Sequence, residues 1–171
     1  GSTYTDQQGW GVIRFSTTVN KASSTTTITG DSPDPSVVNT SYPVSVSVSG
    51  SYGTPTGSVT VSDGSATCSI TLSSGTGSCN LTSTTTGSKT LTATYAGNTT
   101  YNSSSGTTTH TVKANSSTSI TSDLPDPSYV NQSYPVNVTV SGSYGTPTGS
   151  VTVSDGSASC SITLSGGSGS C

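Results

Sequence analysis

The chain has 171 residues, of which 27% are hydrophobic and 6% are charged, and its formal net charge is −3. Its four basic residues are too few to follow a phosphate backbone, which excludes a nucleic-acid partner. No apolar run approaches the length of a membrane span and no signal peptide is visible, so we expect no transmembrane segment.

Serine and threonine make up 74 of the 171 residues, a content that is often found in disordered chains. Disorder usually accompanies high charge, however, whereas charged residues are rare here and glutamate is absent. Threonine and valine favour strands, and 20 glycines with 8 prolines supply turns. The composition therefore indicates an ordered all-β protein with a neutral, hydroxyl-rich surface.

The sequence repeats with a period of 92 residues. Ser24–Cys79 returns as Ser116–Cys171 without insertions, and 11 of the 56 paired positions differ. This period is too long for a helical solenoid, so two near-copies in tandem indicate a series of small separate domains. Such arrays usually act through their length and surface, and the expected function is structural rather than catalytic.

The copy that is present in full begins near Ser23, with a short strand, TTTITG, and a turn, DSPDPS. In the next segment, Ser41–Gly50, three valines alternate with serines, which predicts a strand with one buried and one exposed face. A turn at SYGTPTG then leads to a strand, SVTVS, that buries Val59 and Val61.

The second half of this copy continues the same pattern. Asp63-Gly64 lies between two strand-like segments and predicts a two-residue hairpin turn. Four further strands follow in the order ATCSITL, CNLTS, SKTLTATYAG and TTTHTVK. Seven or eight short strands separated by frequent turns predict a β-sandwich of immunoglobulin-like type, with a barrel as the alternative.

The ends of the chain suggest a division into three parts. Residues 1–22 align with the end of the full copy, because Tyr4 matches Tyr95 and STTVNKA resembles THTVKAN. We therefore expect 1–22 to be terminal strands of a preceding or partner domain, 23–113 a complete domain, and 114–171 the N-terminal part of another. Two explanations stay open: an excerpt of a longer array, or a subunit that is completed by a strand from another chain and forms a fibre.

The four cysteines follow the repeat, and four cysteines allow three pairings. Only one pairing gives each copy the same bond, namely Cys68–Cys79 and Cys160–Cys171. We expect each bridge to tie the two arms of a hairpin and to stabilise its domain by roughly 3 kcal/mol. Such disulfides predict an extracellular or cell-surface location. Free thiols or a metal site are the alternatives.

The segment TPTGSVTVSDGSATCSITLSSGTGSCNLTSTTTGSKTLTATYAGNTTYNSSSGTTTHTVKA resembles the bacterial Ig-like repeat in its DG turn, cysteine-closed hairpin, T-L-T-A-x-Y-x-G strand and closing H-T-V. The resemblance covers Ser24–Lys113 fully and Ser116–Cys171 partly. It implies tandem sandwiches in a surface or secreted bacterial protein, such as a stalk, adhesin or fibre, without enzymatic activity. Relatives commonly carry an acid where Asn98 stands, so an ion-binding or capping role is not carried over to this position.

Candidate metal ligands are sparse. Asp31 and Asp34, with Asp123 and Asp126, lie near the domain junctions, where clustered carboxylates could bind calcium. Asp-Pro dipeptides are also common turn formers, which is the alternative interpretation. His110 is the only histidine, has no acid near it in sequence, and is expected on a strand surface. We predict neither a catalytic site nor a cofactor.

Two other kinds of site are candidates. Seven Asn-x-Ser/Thr sequons could accept glycans in a secreted glycoprotein, although frequent serine and threonine produce sequons by chance. Trp10 lies in QQGWGVIRF and could anchor a partner, or else cap the core of the first, partial domain. The sequons are at Asn39, Asn80, Asn98, Asn102, Asn115, Asn131 and Asn137.

Three functions are compatible with these features. The leading one is a segment of an extracellular rod or fibre. Its partners are neighbouring Ig-like domains of the same protein or identical subunits. In a variant of this hypothesis, the chain assembles into filaments by strand complementation between chains. The alternative is an adhesin module that itself binds host or cell-surface glycan or protein, with a stacking surface formed by Tyr42, Tyr52, Tyr101, Tyr134 and Tyr144. The third is an accessory domain of a secreted hydrolase.

Overall fold

The structure is a computed structural model that describes residues 20–171, and the regular structure of this part consists of β-strands. The first unit contains β1 (Ser24–Gly30), β2 (Ser36–Val37), β3 (Ser41–Gly50), β4 (Ser58–Ser62), β5 (Thr67–Thr71), β6 (Thr76–Thr82), β7 (Gly87–Tyr95) and β8 (Ser104–Lys113). The second unit contains β9 (Ser116–Ser122), β10 (Asn137–Gly142), β11 (Ser150–Ser154), β12 (Ser159–Thr163) and β13 (Ser168–Ser170). Among the described residues no helix is long and apolar enough to cross a membrane.

The first unit is a sandwich of two sheets. One sheet has the strand order β1-β3-β6 and the other has the order β2-β8-β7-β4-β5. Neighbouring strands are antiparallel, except that the short β2 runs parallel to β8. The chain changes sheet several times, as the Greek-key connections of an immunoglobulin-like sandwich require. The predicted fold class is therefore confirmed.

The core lies between the two sheets and follows the alternation seen in the sequence. In β3 the valines are buried while the intervening serines are half-buried or exposed, and β4 and β7 alternate in the same way. The apolar side chains that are at most 1% exposed come from both sheets: Tyr42, Val44, Val46, Val59, Val61, Ile70, Leu81, Leu91, Ala93 and Tyr95.

The two sheets approach each other closely where β1 passes β8. A Cβ atom added to Gly106 would lie 2.2 Å from the backbone oxygen of Thr26, so only glycine fits at this position of β8. The hydroxyls of Ser24 and Thr26 contact the hydroxyl of Ser104 at 2.8 and 2.7 Å. Backbone proximity and hydroxyl pairing thus replace apolar packing along this seam.

The second unit repeats part of this arrangement. Its sheets are β13-β10-β9 and β11-β12, and its core contains Val136, Val138, Val140 and Ile162. In the first unit β4 pairs with β5 on one side and with β7 on the other. Within residues 20–171 the equivalent strand, β11, pairs with β12 alone. As a result the side chains of β11 that point inward are half-buried rather than fully buried.

Two local predictions need correction. The hairpin between β4 and β5 exists, but Asp63 N donates to the oxygen of Ala66, so its two central residues are Gly64 and Ser65 rather than Asp63 and Gly64. The Asp63 carboxylate accepts a hydrogen bond from the backbone N–H of Ala66, and the turn therefore lies one residue later than predicted. The strand β2 begins at Ser36, the last residue of the predicted turn, and the sequence does not predict it because two residues are too few to show a period.

Candidate functional site

His110 is fully buried, and the prediction of a strand-surface position is wrong. It lies on β8 two residues before Val112, which is also buried. Alternate residues of a strand share one face, so the pattern T-H-T-V in TTTHTVK places the histidine on the core side. The shared face with Val112 was the available sequence signal for this burial.

Three neighbours hold the imidazole ring of His110. Its Nε2 lies 2.8 Å from the Ser36 hydroxyl and its Nδ1 lies 3.1 Å from Oδ2 of Asp31. The ring also stacks on the phenol ring of Tyr42, with centroids 4.1 Å apart and planes 8° apart. Both ring nitrogens are therefore engaged, and the ring has one defined orientation.

Two carboxylates meet at Nδ1 of His110. Asp34 Oδ1 lies 3.8 Å from this nitrogen and accepts a hydrogen bond of 2.8 Å from the backbone N–H of Thr111. One oxygen from each carboxylate and Nδ1 all lie within 4.8 Å of one another. The structure thus brings Asp31 and Asp34 together, as the calcium prediction requires, and adds the Nδ1 atom of His110 as a nitrogen donor.

The second predicted pair of carboxylates has a different setting. Asp123 and Asp126 are both exposed and follow β9 in a segment without a facing histidine. Among the described residues, the cluster of Asp31, Asp34 and His110 is the one group of three or more side chains that could hold a metal ion. Calcium binding at either pair stays a prediction.

A chain of hydrogen bonds continues from Tyr42 to the β4–β5 turn. The Ser83 hydroxyl donates to Asp63 Oδ2 at 2.6 Å and lies 3.1 Å from the Tyr42 hydroxyl. Since Ser83 uses its proton on Asp63, the Tyr42 hydroxyl donates to Ser83. Among the described residues, no buried side-chain nitrogen or oxygen lacks a partner.

Burial and these hydrogen bonds change the pKa values of Asp63 and Tyr42, which lie at the two ends of this chain of hydrogen bonds. Burial alone would raise the pKa of Asp63, but hydrogen bonds from Ser83, Ala66 and Ser65 outweigh it and lower the pKa from 3.8 to about 2. Burial raises the pKa of the Tyr42 hydroxyl above 10.0. Asp63 is therefore an anion at neutral pH whose charge is satisfied by hydrogen bonds rather than by a cation.

The cysteines are joined as Cys68–Cys79 and Cys160–Cys171, with 6.0 Å between the Cα atoms of each pair. The first bridge does not tie the arms of a hairpin, which corrects that expectation. Cys68 lies on β5 and Cys79 on β6, and these are edge strands of different sheets. The connection between them crosses the sandwich, so the disulfide links the two sheets along one side.

The sequons differ in how free their amides are. Asn98 is half-buried; its Oδ1 accepts hydrogen bonds of 2.8 Å from the backbone N–H groups of Thr100 and Tyr101, and its Nδ2 donates to the Thr56 oxygen at 3.1 Å. Asn98 therefore caps this loop, a role that the resemblance alone did not carry over to this position. The exposed sequons are Asn39, Asn80, Asn102, Asn115, Asn131 and Asn137.

The aromatic residues divide into core and surface groups. Tyr42 and Tyr101 are buried, which removes them from any sugar-stacking surface. Tyr52 and Tyr144, which occupy equivalent positions of the two copies, are 79% and 48% exposed. Trp10, the candidate partner anchor, lies outside the described residues, as does most of the segment 1–22.

Comparison with known proteins gives one family match. Residues 28–113 match the model of the bacterial Ig-like domain (group 3). Among solved structures, the CARDB domain of a Pyrococcus furiosus protein, crystallised with di-metal ions, is similar at 26% identity with a TM-score of 0.35; the match covers 56% of this chain and 97% of that domain. None of the curated proteins matches the chain significantly.

Proposed function

Because this chain belongs to the bacterial Ig-like domain (group 3) family, we propose that it is a structural segment of an extracellular rod or fibre. The disulfide-linked Ig-like sandwich is typical of a surface or secreted module. In this proposal the segment holds another part of the protein away from a cell or connects cells, and it performs no reaction itself.

The observation that carries the proposal is the short junction between two near-identical units. β8 ends at Lys113 and β9 begins at Ser116, so two residues separate the units. The second unit begins within this junction, since the backbone oxygen of Asn115 accepts a hydrogen bond of 2.9 Å from the backbone N–H of Ser143 in the same unit. A junction this short limits the freedom between successive units, which favours a semi-rigid array over loosely linked beads.

Surface chemistry supports the same role. The described residues pair their buried polar groups internally, and the exposed faces of the strands carry mainly serine and threonine. Such a surface stays hydrated without many charges, and it offers few anchor residues of the kind that dominate specific interfaces. These properties suit a spacer.

Size-exclusion chromatography coupled to small-angle X-ray scattering tests the rod. A compact particle of this length has a radius of gyration of about 15 Å, whereas two units in a row give more than about 20 Å. We expect the larger value. A compact particle near 15 Å would contradict the proposal.

Strand complementation between chains is the second proposal, favoured by the uncovered edge of β11. An open groove of about 720 Å³ lies beside this strand, lined by residues that include Val130, Tyr134, Val136 and Val153. Val130 is 92% exposed, whereas Val38, its equivalent in the first unit, is 8% exposed. A strand equivalent to β7 or β8 from another copy would cover this groove.

The same size-exclusion chromatography tests the proposal of strand complementation. Concentration-dependent polymers, or filaments seen by electron microscopy, would support it. A folded monomer at all concentrations would contradict it.

The adhesin alternative is favoured by one observation, the repeated exposure of Tyr52 and Tyr144. Equal weak sites on successive units could act together through avidity. A glycan-array screen with the wild-type chain and with the double variant Tyr52→Ala/Tyr144→Ala tests this alternative. Binding that the double variant loses would support it, and an array without signals would remove it.

A further inference from the structure

We propose that Asp31, Asp34 and His110 form a binding site for a divalent transition metal ion of the zinc class. The site belongs to the first unit and does not depend on the rod proposal. Its basis is the convergence of one nitrogen and two carboxylate oxygens within 4.8 Å of one another.

The spacing of the donor atoms suits a single ion. Zinc binds nitrogen and oxygen ligands at about 2.0–2.2 Å, which places tetrahedral ligand atoms about 3.3–3.5 Å apart. His110 Nδ1 lies 3.1 Å from Asp31 Oδ2 and 3.8 Å from Asp34 Oδ1, so small side-chain rotations bring both distances into this range.

The histidine is already oriented as a ligand. Without an ion, Nδ1–H donates to Asp31 Oδ2, because an ionised carboxylate can only accept, and Nε2 accepts from the Ser36 hydroxyl. An ion that takes the place of the Nδ1 proton leaves the neutral ring protonated at Nε2, and the Ser36 hydroxyl then accepts from Nε2–H. Metal-binding histidines commonly donate their other N–H in this way, which fixes the tautomer and the ring direction. The stack on Tyr42 removes the remaining freedom of the ring, so little entropy is lost when an ion binds.

Electrostatics also favours a cation here. Within the described range, His110 is the one basic side chain at ion-pair distance from Asp31 or Asp34, and it is charged only when protonated. Two carboxylates without a permanent positive neighbour attract a divalent ion. The side chain of Asp34 is 41% exposed, which leaves a route for the ion and room for water to complete its coordination.

The donor set selects the class of ion. Calcium and magnesium prefer oxygen ligands, whereas an imidazole nitrogen suits zinc, nickel, copper or iron. The proposal therefore names a transition metal, whereas the aspartates alone predicted calcium.

Isothermal titration of the whole chain with zinc chloride tests the site. We expect one zinc ion per chain, loss of saturable binding in Asp31→Asn and Asp34→Asn, and unchanged binding in Asp123→Asn and Asp126→Asn. The last two variants are matched controls, because Asp123 and Asp126 are the equivalents of Asp31 and Asp34 in the second copy and have no facing histidine. Ser36→Ala, which removes the partner of Nε2, should weaken binding about 10- to 100-fold.

Nitrogen NMR of His110 in the wild-type chain gives a readout that does not need a folded variant. Zinc should shift the Nδ1 resonance and place the ring proton on Nε2. The proposal is overturned if zinc fails to bind below about 1 mM, if binding survives Asp31→Asn, if Nδ1 does not respond, or if calcium saturates the site and zinc does not.

Discussion

The imidazole of His110 stacks on the phenol ring of Tyr42 with ring centroids 4.1 Å apart. Tyr42 belongs to the sheet β1-β3-β6 and His110 to the other sheet of the first unit. The pair therefore connects the two sheets, and it also joins the Asp31–Asp34 cluster at one end to the Asp63 turn at the other through Ser83.

Substitutions of Tyr42 separate its hydroxyl from its ring. Tyr42→Phe keeps the stack and loses one buried hydrogen bond, so we expect the free energy of unfolding to fall by about 1 kcal/mol. Tyr42→Ala also leaves a cavity and should cost about 3–5 kcal/mol. Urea unfolding followed by the NMR signals of residues 23–113 measures both values.

The control for this prediction is Tyr134→Phe, the equivalent and only half-buried position of the second unit. It should change stability by less than about 0.5 kcal/mol. Equal effects of Tyr42→Phe and Tyr134→Phe would mean that the buried hydrogen bond to Ser83 contributes nothing.

Asp63 makes the stability of the first unit depend on pH. Its pKa is about 2 in the folded state and 3.8 as the reference value, so the folded state holds the proton less tightly. The resulting stabilisation, about 2 kcal/mol, is complete above pH about 5 and is lost as the pH falls through 3.8 towards 2. Asp63→Asn should remove this part of the acid dependence.

Asp155→Asn is the matched variant for Asp63, because Asp155 makes the same turn hydrogen bonds with Ser157 and Ala158 but is exposed. The free energy of unfolding of the first unit is measured as a function of pH in both variants, and the two curves are compared. A curve for Asp63→Asn that overlays the wild-type curve between pH 2 and pH 5 would refute the assignment.

The disulfide between the sheets should stabilise the first unit by roughly 3 kcal/mol. Cys68→Ser/Cys79→Ser removes the bridge, and the loss is read from urea unfolding of the signals of residues 23–113. Cys160→Ser/Cys171→Ser should leave those signals nearly unchanged, since its bridge belongs to the second unit. A stability loss below about 0.5 kcal/mol in the first variant would show that packing alone holds the sheets together.

Gly106→Ala tests the seam between β1 and β8. The added Cβ would lie 2.2 Å from the Thr26 oxygen, so one strand has to move, at a cost of about 1–3 kcal/mol. Gly30→Ala is the control, because the nearest atom to its added Cβ is 3.9 Å away and the second copy carries Ser122 there. Thermal unfolding of both variants should show a lower midpoint for Gly106→Ala alone.

The sequons should be occupied unequally in a host that performs N-glycosylation. Asn80 is exposed and makes no side-chain hydrogen bond in the described structure, whereas the Asn98 amide is bound on both its oxygen and its nitrogen. Peptide mapping by mass spectrometry should therefore find glycan on Asn80 and none on Asn98. Occupancy of Asn98 equal to that of Asn80 would contradict the role of Asn98 as a loop cap.

The strands could be predicted from the sequence because alternation is a local property. Val44, Val46 and Val48 showed which face is buried, and the structure buries all three. Alternation does not say which sheet a strand joins, so the Cys68–Cys79 bridge was assigned to a hairpin although its strands lie in different sheets.

The polar site could be predicted only in part for a similar reason. Asp31 and His110 are 79 positions apart, and no local pattern links them. Their contact depends on the β1–β2 loop, which the pairing of β2 with β8 holds beside the histidine. The two aspartates were identifiable as candidates, but the nitrogen donor was not.

The bridge between β5 and β6 also limits how far the first unit can lengthen under load. Its cysteines are 11 positions apart in sequence, and their Cα atoms are held at 6.0 Å. Pulling on the two termini can unravel everything outside this loop, but the loop itself withholds about 30 Å of contour length until it is reduced. In the proposed rod, an oxidised array would thus yield in shorter steps than a reduced one, and the redox state of its surroundings would affect how far it extends.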